Sequence, residues 1–373
     1  MASDPGPELR DFFSLSRDDL AAELQAQGQP RYRADQVWAW AYRQRAESFE
    51  AMSNLPSALR HHLTRTYTLQ PVETAATSAD AASFTQKDLL RLRDGESIET
   101  VLMQEPEWYT VCVSTQVGCP MACTICAAGQ SGFRRNLSAA EIVYQVVHFA
   151  RQLARAATGT PQPQDHDRSR GVPAAPTPRV ALENVVFMGM GEPLLNFDAV
   201  VTAIARLCDP YGLALNPHNV TVSTVGLPRP ILALARQPYP VRLAVALHGA
   251  DQAARAKLVP VAARVPLAEL MAAVREFTRL RLDRVTFEYV LVDGVNDSRH
   301  DADALVSLIG DIPSHVNLIP LNPVSGCDLK PSGPMAVEHF RARLKRSRIP
   351  CTIRFGRGVA IGAGCGQLRG AQG

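Results

Sequence analysis

The chain has 373 residues, of which 46% are hydrophobic and 20% are charged, and its formal net charge is +3. These proportions are typical of a globular protein with a large core. The sequence does not begin with a basic segment followed by an apolar run, and no uncharged apolar run reaches the length of a membrane span. We therefore expect a cytoplasmic protein without membrane contact. The small net charge does not by itself indicate nucleic-acid binding, which depends on where the charges lie.

Residues 1–75 have the pattern of a small helical domain. Apolar residues recur at helical spacing in three segments, 16–27, 34–45 and 56–66. Two strand-like segments follow at 88–92 and 97–103, separated by the turn signal Asp94-Gly95. We expect strands within 76–107 to connect the helical domain to the rest of the chain.

From about residue 108, short apolar strands alternate with amphipathic helices. The predicted strands are 110–114, 184–187, 220–224, 241–247, 285–290 and 316–319. The predicted helices are 138–154, 198–208, 228–236, 250–258, 267–280, 301–309 and 335–346. Repeated strand–helix units favour parallel strands covered by helices, and six units are too few for a closed eight-stranded barrel. The predicted fold class is α/β, with a partial (β/α)6 barrel over 108–348 and a last strand and flexible glycine-rich tail over 349–373.

One segment, 158–178, interrupts the alternation. It is rich in proline and polar residues and poor in apolar ones, so we predict a disordered insertion. Because it leads from a helix into a strand, we expect it on the face of the barrel opposite the functional site.

Three cysteines, Cys119, Cys123 and Cys126, lie close together in the segment GCPMACTICAAG. Their spacing fits three corners of a 4Fe-4S cluster and leaves one iron without a protein ligand. An open iron is a place for a substrate to bind, which indicates chemistry and not only electron transfer. A structural zinc site is the alternative, but zinc prefers paired Cys-x2-Cys units and four ligands, and no nearby Cys or His completes such a site.

Candidate binding residues follow the ends of several other predicted strands. They are Gly191 and Glu192, Ser223, the stretch Ala246, Leu247 and His248, and Asn322. Each alone has an ordinary explanation as a turn, core or capping residue. Because they recur at successive strand ends, which meet at one face of a barrel, the series predicts a binding site. Glu192 is suited to accept a hydrogen bond from an ammonium group.

Two further cysteines are separated from the group of three. Cys112 lies on the strand that enters the three-cysteine segment, and Cys365 lies in the tail GAGCGQLRGAQG. Flanking glycines make the tail backbone permissive and make Cys365 a poor core residue. We interpret Cys365 as a reactive thiol that must move, with Cys112 available to form a disulfide with it.

Over nearly its whole length, the sequence resembles the RlmN/Cfr family of radical S-adenosylmethionine (SAM) RNA methyltransferases. The motifs that carry the resemblance are IETVLM at 98–103, CVSTQVGC at 112–119, GFRRNL at 132–137, MGMGEPL at 188–194, TVSTVG at 221–226 and CGQL at 365–368. Together they are far more specific than the cysteine spacing alone.

The resemblance implies that Cys119, Cys123 and Cys126 hold a 4Fe-4S cluster and that the strand-end residues contact SAM. In this family one SAM methylates the tail thiol, here Cys365, and a second is cleaved to a 5′-deoxyadenosyl radical that takes a hydrogen from that methyl group. The resulting carbon radical adds to adenine C2, which is too electron-poor for a polar methyl transfer. Cys112 then resolves the covalent RNA adduct through a disulfide with Cys365. Glu99 matches the family position proposed as proton acceptor.

The implied partners are 23S rRNA, tRNA modified beside its anticodon, and an electron donor such as flavodoxin or ferredoxin; we expect a monomer. Reaching adenine C2 requires a base held out of its stack. Basic residues are concentrated in three places that we interpret as phosphate contacts. These are the arginines around Tyr32, Trp38, Trp40 and Tyr42, the basic helix that includes 341–348, and Arg134 and Arg135 beside the cluster segment.

Three alanines depart from the family pattern. Ala246 stands where Ser is common, Ala262 where Asn is usual and Ala360 where an acidic residue is usual. These departures fit drift in an orthodox enzyme or a paralogue with a changed substrate, and two alternatives to an RlmN-type enzyme stay open. One is a Cfr-type enzyme that methylates adenine C8, and the other is a diverged RNA-binding factor without catalysis. Retention of both Cys112 and Cys365 argues against the second, because a structural role requires neither.

Overall fold

The computed structural model describes residues 9–158 and 181–370. The insertion predicted at 158–178 lies outside these residues except for Thr158, the last residue of a helix. Among the helices of the two described ranges, none combines the length and apolarity that a bilayer crossing requires.

The N-terminal part of the chain is helical. Its elements are β1 (Arg10–Asp11), α1 (Arg17–Ala26), α2 (Tyr32–Tyr42), α3 (Ser57–Thr66) and β2 (Tyr67–Thr68), and the two short strands pair in parallel. Ser16 and Asp19 form a reciprocal capping box at the start of α1.

Two of the four aromatic residues around which the N-terminal arginines cluster belong to the core of this helical part. Trp38 and Tyr42 are fully buried, and their ring centroids lie 4.6 Å apart. Tyr32 is the exposed member of the group, with the Arg33 guanidinium 5.0 Å from its ring centroid. The arginines of this group are exposed or half-buried, whereas Trp38 and Tyr42 pack inside.

The remaining strands and helices follow in chain order. The strands are β3 (Glu73–Asp80), β4 (Thr85–Arg91), β5 (Ser97–Gln104), β6 (Trp108–Cys112), β7 (Gln116–Gly118), β8 (Phe133–Asn136), β9 (Ala181–Phe187), β10 (Val220–Thr224), β11 (Arg242–Ala246), β12 (Val285–Leu291), β13 (Ser314–Pro320) and β14 (Cys351–Ile353). The helices are α4 (Ala127–Gln130), α5 (Ala139–Thr158), α6 (Phe197–Leu207), α7 (Pro228–Leu234), α8 (Gln252–Leu258), α9 (Leu267–Arg281), α10 (Arg299–Ile309) and α11 (Pro334–Arg346).

Within the described ranges, ten strands form one sheet in the order β14-β13-β12-β11-β10-β9-β6-β5-β4-β3. All neighbours from β6 to β14 pair in parallel, whereas β3, β4, β5 and β6 pair antiparallel. The two edges do not pair with each other, so the barrel is open. This confirms the predicted α/β class and partial barrel.

Strand β3 was not predicted from the sequence. Its residues ETAATSAD are small or polar and mostly exposed or half-buried, so they lack the apolar alternation that indicates a strand. The domain division that we predicted between residues 75 and 76 falls within this strand.

Candidate functional site

The residues predicted to form a site meet at the carboxyl ends of the parallel strands. Cys112 ends β6, Ser223 precedes the last residue of β10 and Ala246 ends β11. Glu192 and Asn322 lie in the turns that follow β9 and β13. This is the edge at which ligands bind in parallel α/β folds.

The three-cysteine loop runs from β7 to α4 and is closed by the backbone at its start. The Cys119 N–H donates to the Gly132 carbonyl at 3.0 Å. Gly118 has φ +71°, and a Cβ there would lie 1.7 Å from the same Gly132 oxygen. Only glycine allows this approach, so the loop depends on the residue directly before the first cysteine.

The thiols of Cys119, Cys123 and Cys126 interact electrostatically with one another. Burial raises the pKa of all three, that of Cys119 to about 12. Backbone N–H groups nevertheless favour the thiolate form of two of these cysteines. The N–H groups of Met121 and Gly191 act at Cys119, and those of Ala128 and Gly129 act at Cys126.

Three buried sulfur donors with backbone N–H groups near them fit an iron–sulfur cluster, which binds thiolates. Among the described residues, no three His, Cys, Asp or Glu side chains converge closely enough to hold a single metal ion. A cuboidal cluster does not require such convergence, because each thiolate binds a different iron. The donor set and its surroundings are therefore compatible with a 4Fe-4S cluster.

Glu192 is buried beside the cysteine loop and is fixed by backbone donors. Its Oε1 accepts from Leu194 N–H at 3.0 Å and its Oε2 from Val225 N–H at 2.8 Å. Burial nonetheless raises the pKa of this carboxyl to about 7. A cation placed next to it would favour the charged form, which suits the ammonium group of an amino-acid-like ligand.

His248 is a buried residue that holds the end of β11 against β12. Its Nδ1 accepts from Val290 N–H at 3.1 Å, and its backbone has φ +54°. Burial and then the nearby Arg255 lower its pKa to about 3, so the imidazole is neutral. Leu247, one residue earlier, donates its N–H to the Glu288 carbonyl at 3.0 Å.

Arg255 on α8 was not singled out from the sequence. It is fully buried, and its Nε donates to the Leu247 carbonyl at 3.1 Å while its Nη2 donates to the Val225 carbonyl. Its Nη1 has no hydrogen-bond partner among the described residues, and its charge acts on Cys123. A buried guanidinium with an unpaired donor next to a thiol is suited to an anionic group. The one signal in the sequence is an arginine inside the alanine-rich segment QAARAKLV.

The tail brings Cys365 to the same edge of the sheet. Asn322 donates its Nδ2–H to the Cys365 carbonyl at 3.0 Å, and Ala127 at the start of α4 donates its N–H to the Gly366 carbonyl at 2.7 Å. Cys365 is exposed as a residue, but the protein atoms packed around its sulfur, followed by the charge of Glu288, raise the pKa of its thiol to about 11.

Cys112 is buried at the end of β6, within electrostatic reach of the Cys365 thiol, and both cysteines are free. Burial and then the neighbouring Cys365 raise the Cys112 pKa to about 12. Cys365 also interacts with Cys126 of the loop, so the structure places the two distant cysteines beside the group of three.

Glu99 lies on β5 and is paired on both carboxylate oxygens. Lys87 on β4 lies 2.8 Å from its Oε1, and the N–H groups of Arg369 and Gly370 lie 2.8 and 3.3 Å from its Oε2. Lys87 was not identified from the sequence, since a lysine on a strand carries no motif by itself.

Known proteins resemble this chain along nearly its whole length. A family model described as the ribosomal RNA large subunit methyltransferase N-terminal domain matches residues 10–69. "Dual-specificity RNA methyltransferase RlmN 1" of Myxococcus xanthus is 42% identical, over 98% of this chain and 96% of its own length. "Probable dual-specificity RNA methyltransferase RlmN 2" of Opitutus terrae is 42% identical, over 97% of this chain and 87% of its own length. The chain belongs to the RlmN family.

A crystal structure of a radical SAM methyltransferase from Sphaerobacter thermophilus supports the same placement. It is 42% identical to this chain, has a TM-score of 0.87, and the match covers 96% of this chain and 99% of that one. This RlmN-family protein is therefore a radical SAM methyltransferase, a class that uses SAM and a 4Fe-4S cluster.

Proposed function

We propose that this RlmN-family protein methylates C2 of an adenine in 23S rRNA and of an adenine beside the tRNA anticodon, and carries the methyl group on Cys365. The observation that carries the proposal is that backbone contacts at Cys365 and Gly366 hold the tail against the three-cysteine loop, with Cys112 at the end of β6 within electrostatic reach of Cys365. The dual RNA specificity in the names of its relatives supports the two substrates. We place the reaction in the cytoplasm, with a monomeric enzyme reduced by flavodoxin or ferredoxin.

Two groups of residues would hold the cofactors. Cys119, Cys123 and Cys126 would bind the 4Fe-4S cluster, and Gly191, Glu192, Ser223, 246–248 and Asn322 would bind SAM. When bound, these cofactors supply methyl groups and one-electron chemistry. Glu192 would pair with the ammonium group of SAM, and the unpaired Nη1 of Arg255 would face the negative charge of the cluster or of the SAM carboxylate.

The chain's own sulfur atoms would then carry and release the methyl carbon. Cys365 Sγ accepts a methyl group. The methyl carbon would give up one hydrogen atom, and one electron as it bonds to adenine C2, to the one-electron chemistry that the bound cofactors supply, and the new bond links protein to RNA. Glu99 accepts the proton that leaves C2. The Cys112 thiolate attacks Cys365 Sγ and breaks its bond to that carbon, which takes up a proton as the product methyl group. The resulting Cys112–Cys365 disulfide is returned to two thiols by an external reductant.

The rim of the site is suited to RNA. Phe133 on β8, which pairs with Gly118 next to the cysteine loop, is 46% exposed, and Phe355 beyond β14 is 76% exposed. Exposed aromatic rings stack on unpaired bases. Arg134 beside Phe133 is also exposed, and we propose that the N-terminal residues 1–75 contribute further phosphate contacts.

Reconstituted protein with SAM and reductant, followed by nucleoside mass spectrometry of treated rRNA and tRNA, tests the proposal. We expect 2-methyladenosine in both RNAs. 8-Methyladenosine would establish the Cfr-type alternative, and absence of any methylated adenosine would leave only a non-catalytic RNA-binding role.

A Cys112→Ala variant tests the thiol chemistry separately. We expect a covalent protein–RNA adduct to accumulate, because the attack that releases Cys365 is missing. Cys208→Ala, a half-buried cysteine at the end of α6, is the matched control and should release product normally. Multiple turnovers by Cys112→Ala without an adduct would exclude Cys112 as the resolving thiol.

A further inference from the structure

We propose that Lys87 and Glu99 form an ionic clamp that holds the tail on both sides of Cys365, so that Lys87 is a positioning residue for the methyl carrier. The clamp consists of these two side chains and the tail backbone groups that they bind. It lies on the antiparallel strands β4 and β5, outside the parallel strands whose ends form the cofactor site.

The register of β4 and β5 brings the two side chains together. Lys87 is opposite Val101 and Leu89 is opposite Glu99, so Lys87 and Glu99 are diagonal neighbours on one face of the sheet. A lysine is long enough to span this diagonal, and Nζ reaches Oε1 at 2.8 Å. The side chains are only 15% and 9% exposed, so water screens the pair less than it screens a surface ion pair.

The same two side chains bind the tail on each side of the reactive thiol. Before Cys365, Lys87 Nζ donates to the Gly362 carbonyl at 3.2 Å. After Cys365, Glu99 Oε2 accepts from the N–H groups of Arg369 and Gly370 at 2.8 and 3.3 Å. A polar group left without its partner in such a buried position is costly, so losing either side chain weakens the docking of the tail.

While the tail is docked, both carboxylate oxygens of Glu99 already have partners. Its Oε1 is paired with Lys87 and its Oε2 with two backbone N–H groups, so a proton donor can reach Oε2 only after residues 369–370 leave. This consequence rests on the proposed function, in which Glu99 accepts the adenine proton. Glu99 would then become available to accept that proton only when the tail is released. The clamp itself is inferred from the contacts alone and does not depend on the proposed function.

Labelling of Cys365 in the cluster-loaded protein measures the clamp without any methyl transfer. We expect Lys87→Met to increase the rate at which iodoacetamide alkylates Cys365, and the rate of trypsin cleavage after Arg369, by about tenfold or more. Cys208 in the same sample is the internal reference for alkylation. Arg91→Met, an exposed position on the same strand whose ion pair is with Glu73, is the matched control and should leave both rates unchanged.

A charge swap separates the clamp from an ion pair that merely stabilises the sheet. The double variant Lys87→Glu with Glu99→Lys restores the cross-strand pair, so the thermal midpoint and iron content should return to wild-type values. Position 87 can then no longer donate to the Gly362 carbonyl, and position 99 can no longer accept from the N–H groups of Arg369 and Gly370. Alkylation of Cys365 and cleavage after Arg369 should therefore stay fast. Wild-type rates in this double variant, or in Lys87→Met, would overturn the clamp. Either result is independent of whether the protein methylates RNA.

Discussion

His248 and Arg255 are buried residues that interact electrostatically, and burial lowers the pKa of both, although Arg255 remains a cation. Burial and the Arg255 cation hold the His248 pKa at about 3, whereas an unfolded chain has a histidine pKa near 6.5. Below pH 6.5 the unfolded chain takes up a proton that the folded chain does not. The free energy of unfolding therefore falls as the pH drops from about 6.5 towards 3.

Replacing His248 with Gln should remove this part of the pH dependence. Between pH 7.5 and 5, wild type should lose roughly 1.4 kcal/mol of unfolding free energy per pH unit below 6.5 relative to His248→Gln. Urea unfolding at several pH values measures the difference. His300→Gln, an exposed position on α10, is the control and should keep the wild-type slope. A wild-type slope in His248→Gln would mean that another group takes up the proton.

At the scale of elements, the tail and the cysteine loop are joined through one glycine. Gly366 has φ +83°, and a Cβ there would lie 2.6 Å from the Ile125 carbonyl oxygen, between two of the loop cysteines. The adjacent hydrogen bond from Ala127 N–H to the Gly366 carbonyl, at 2.7 Å, depends on this approach. An alanine would have both an unfavourable backbone conformation and a clash with the loop.

Gly366→Ala should therefore move the tail away from the loop while leaving the barrel folded. We expect slower oxidation of Cys112 and Cys365 to their disulfide, measured by mass spectrometry of tail peptides under a mild oxidant. Gly333→Ala is the control, because its φ is −66° and a Cβ there meets no atom within 4 Å. Oxidation at the wild-type rate in Gly366→Ala would show that the loop does not position the tail.

The elements that the sequence predicted well are those that carry periodicity or a motif. The parallel strands and their helices have strong apolar patterns, and the cysteines, Glu192 and Asn322 stand at strand ends where residue type indicates chemistry. No such signal marks Arg255, Lys87 or Glu288. Each matters because the fold places a backbone carbonyl or a thiol beside its side chain, and the sequence does not show which groups the fold brings together. Strand β3 was missed since pairing with β4, rather than apolar alternation, holds it in the sheet.

At the scale of the whole molecule, the helical N-terminal part and the barrel share a core. One apolar cluster includes Phe12 at one end of the chain and Leu368 at the other. The Phe13 ring packs edge-on against Tyr144 of α5, with centroids 5.5 Å apart. If the N-terminal part contacts RNA as proposed, an attachment of this kind would keep that RNA in a fixed position relative to the barrel mouth.

Arg151 of α5 is the polar part of this junction. It is 3% exposed, and its Nη1 donates to the Leu69 carbonyl at 2.8 Å while its Nη2 donates to the Ala46 carbonyl. Both carbonyls belong to the N-terminal part. Arg151→Met would leave them unpaired in a buried position, and we expect a loss of about 2 kcal/mol or more in the free energy of unfolding.

Because the core is continuous, Arg151→Met should destabilise the molecule as one cooperative unit. Two of the three tryptophans, Trp38 and Trp40, lie on α2, so tryptophan fluorescence reports mainly on the N-terminal part, whereas far-ultraviolet circular dichroism reports on the whole chain. In urea, both signals should change at one midpoint in wild type and at one lower midpoint in Arg151→Met. Arg279→Met on the surface of α9 should shift neither signal appreciably, since its pair with Glu276 is exposed. A fluorescence midpoint that falls while the circular dichroism midpoint stays in place would mean that the N-terminal part unfolds independently of the barrel.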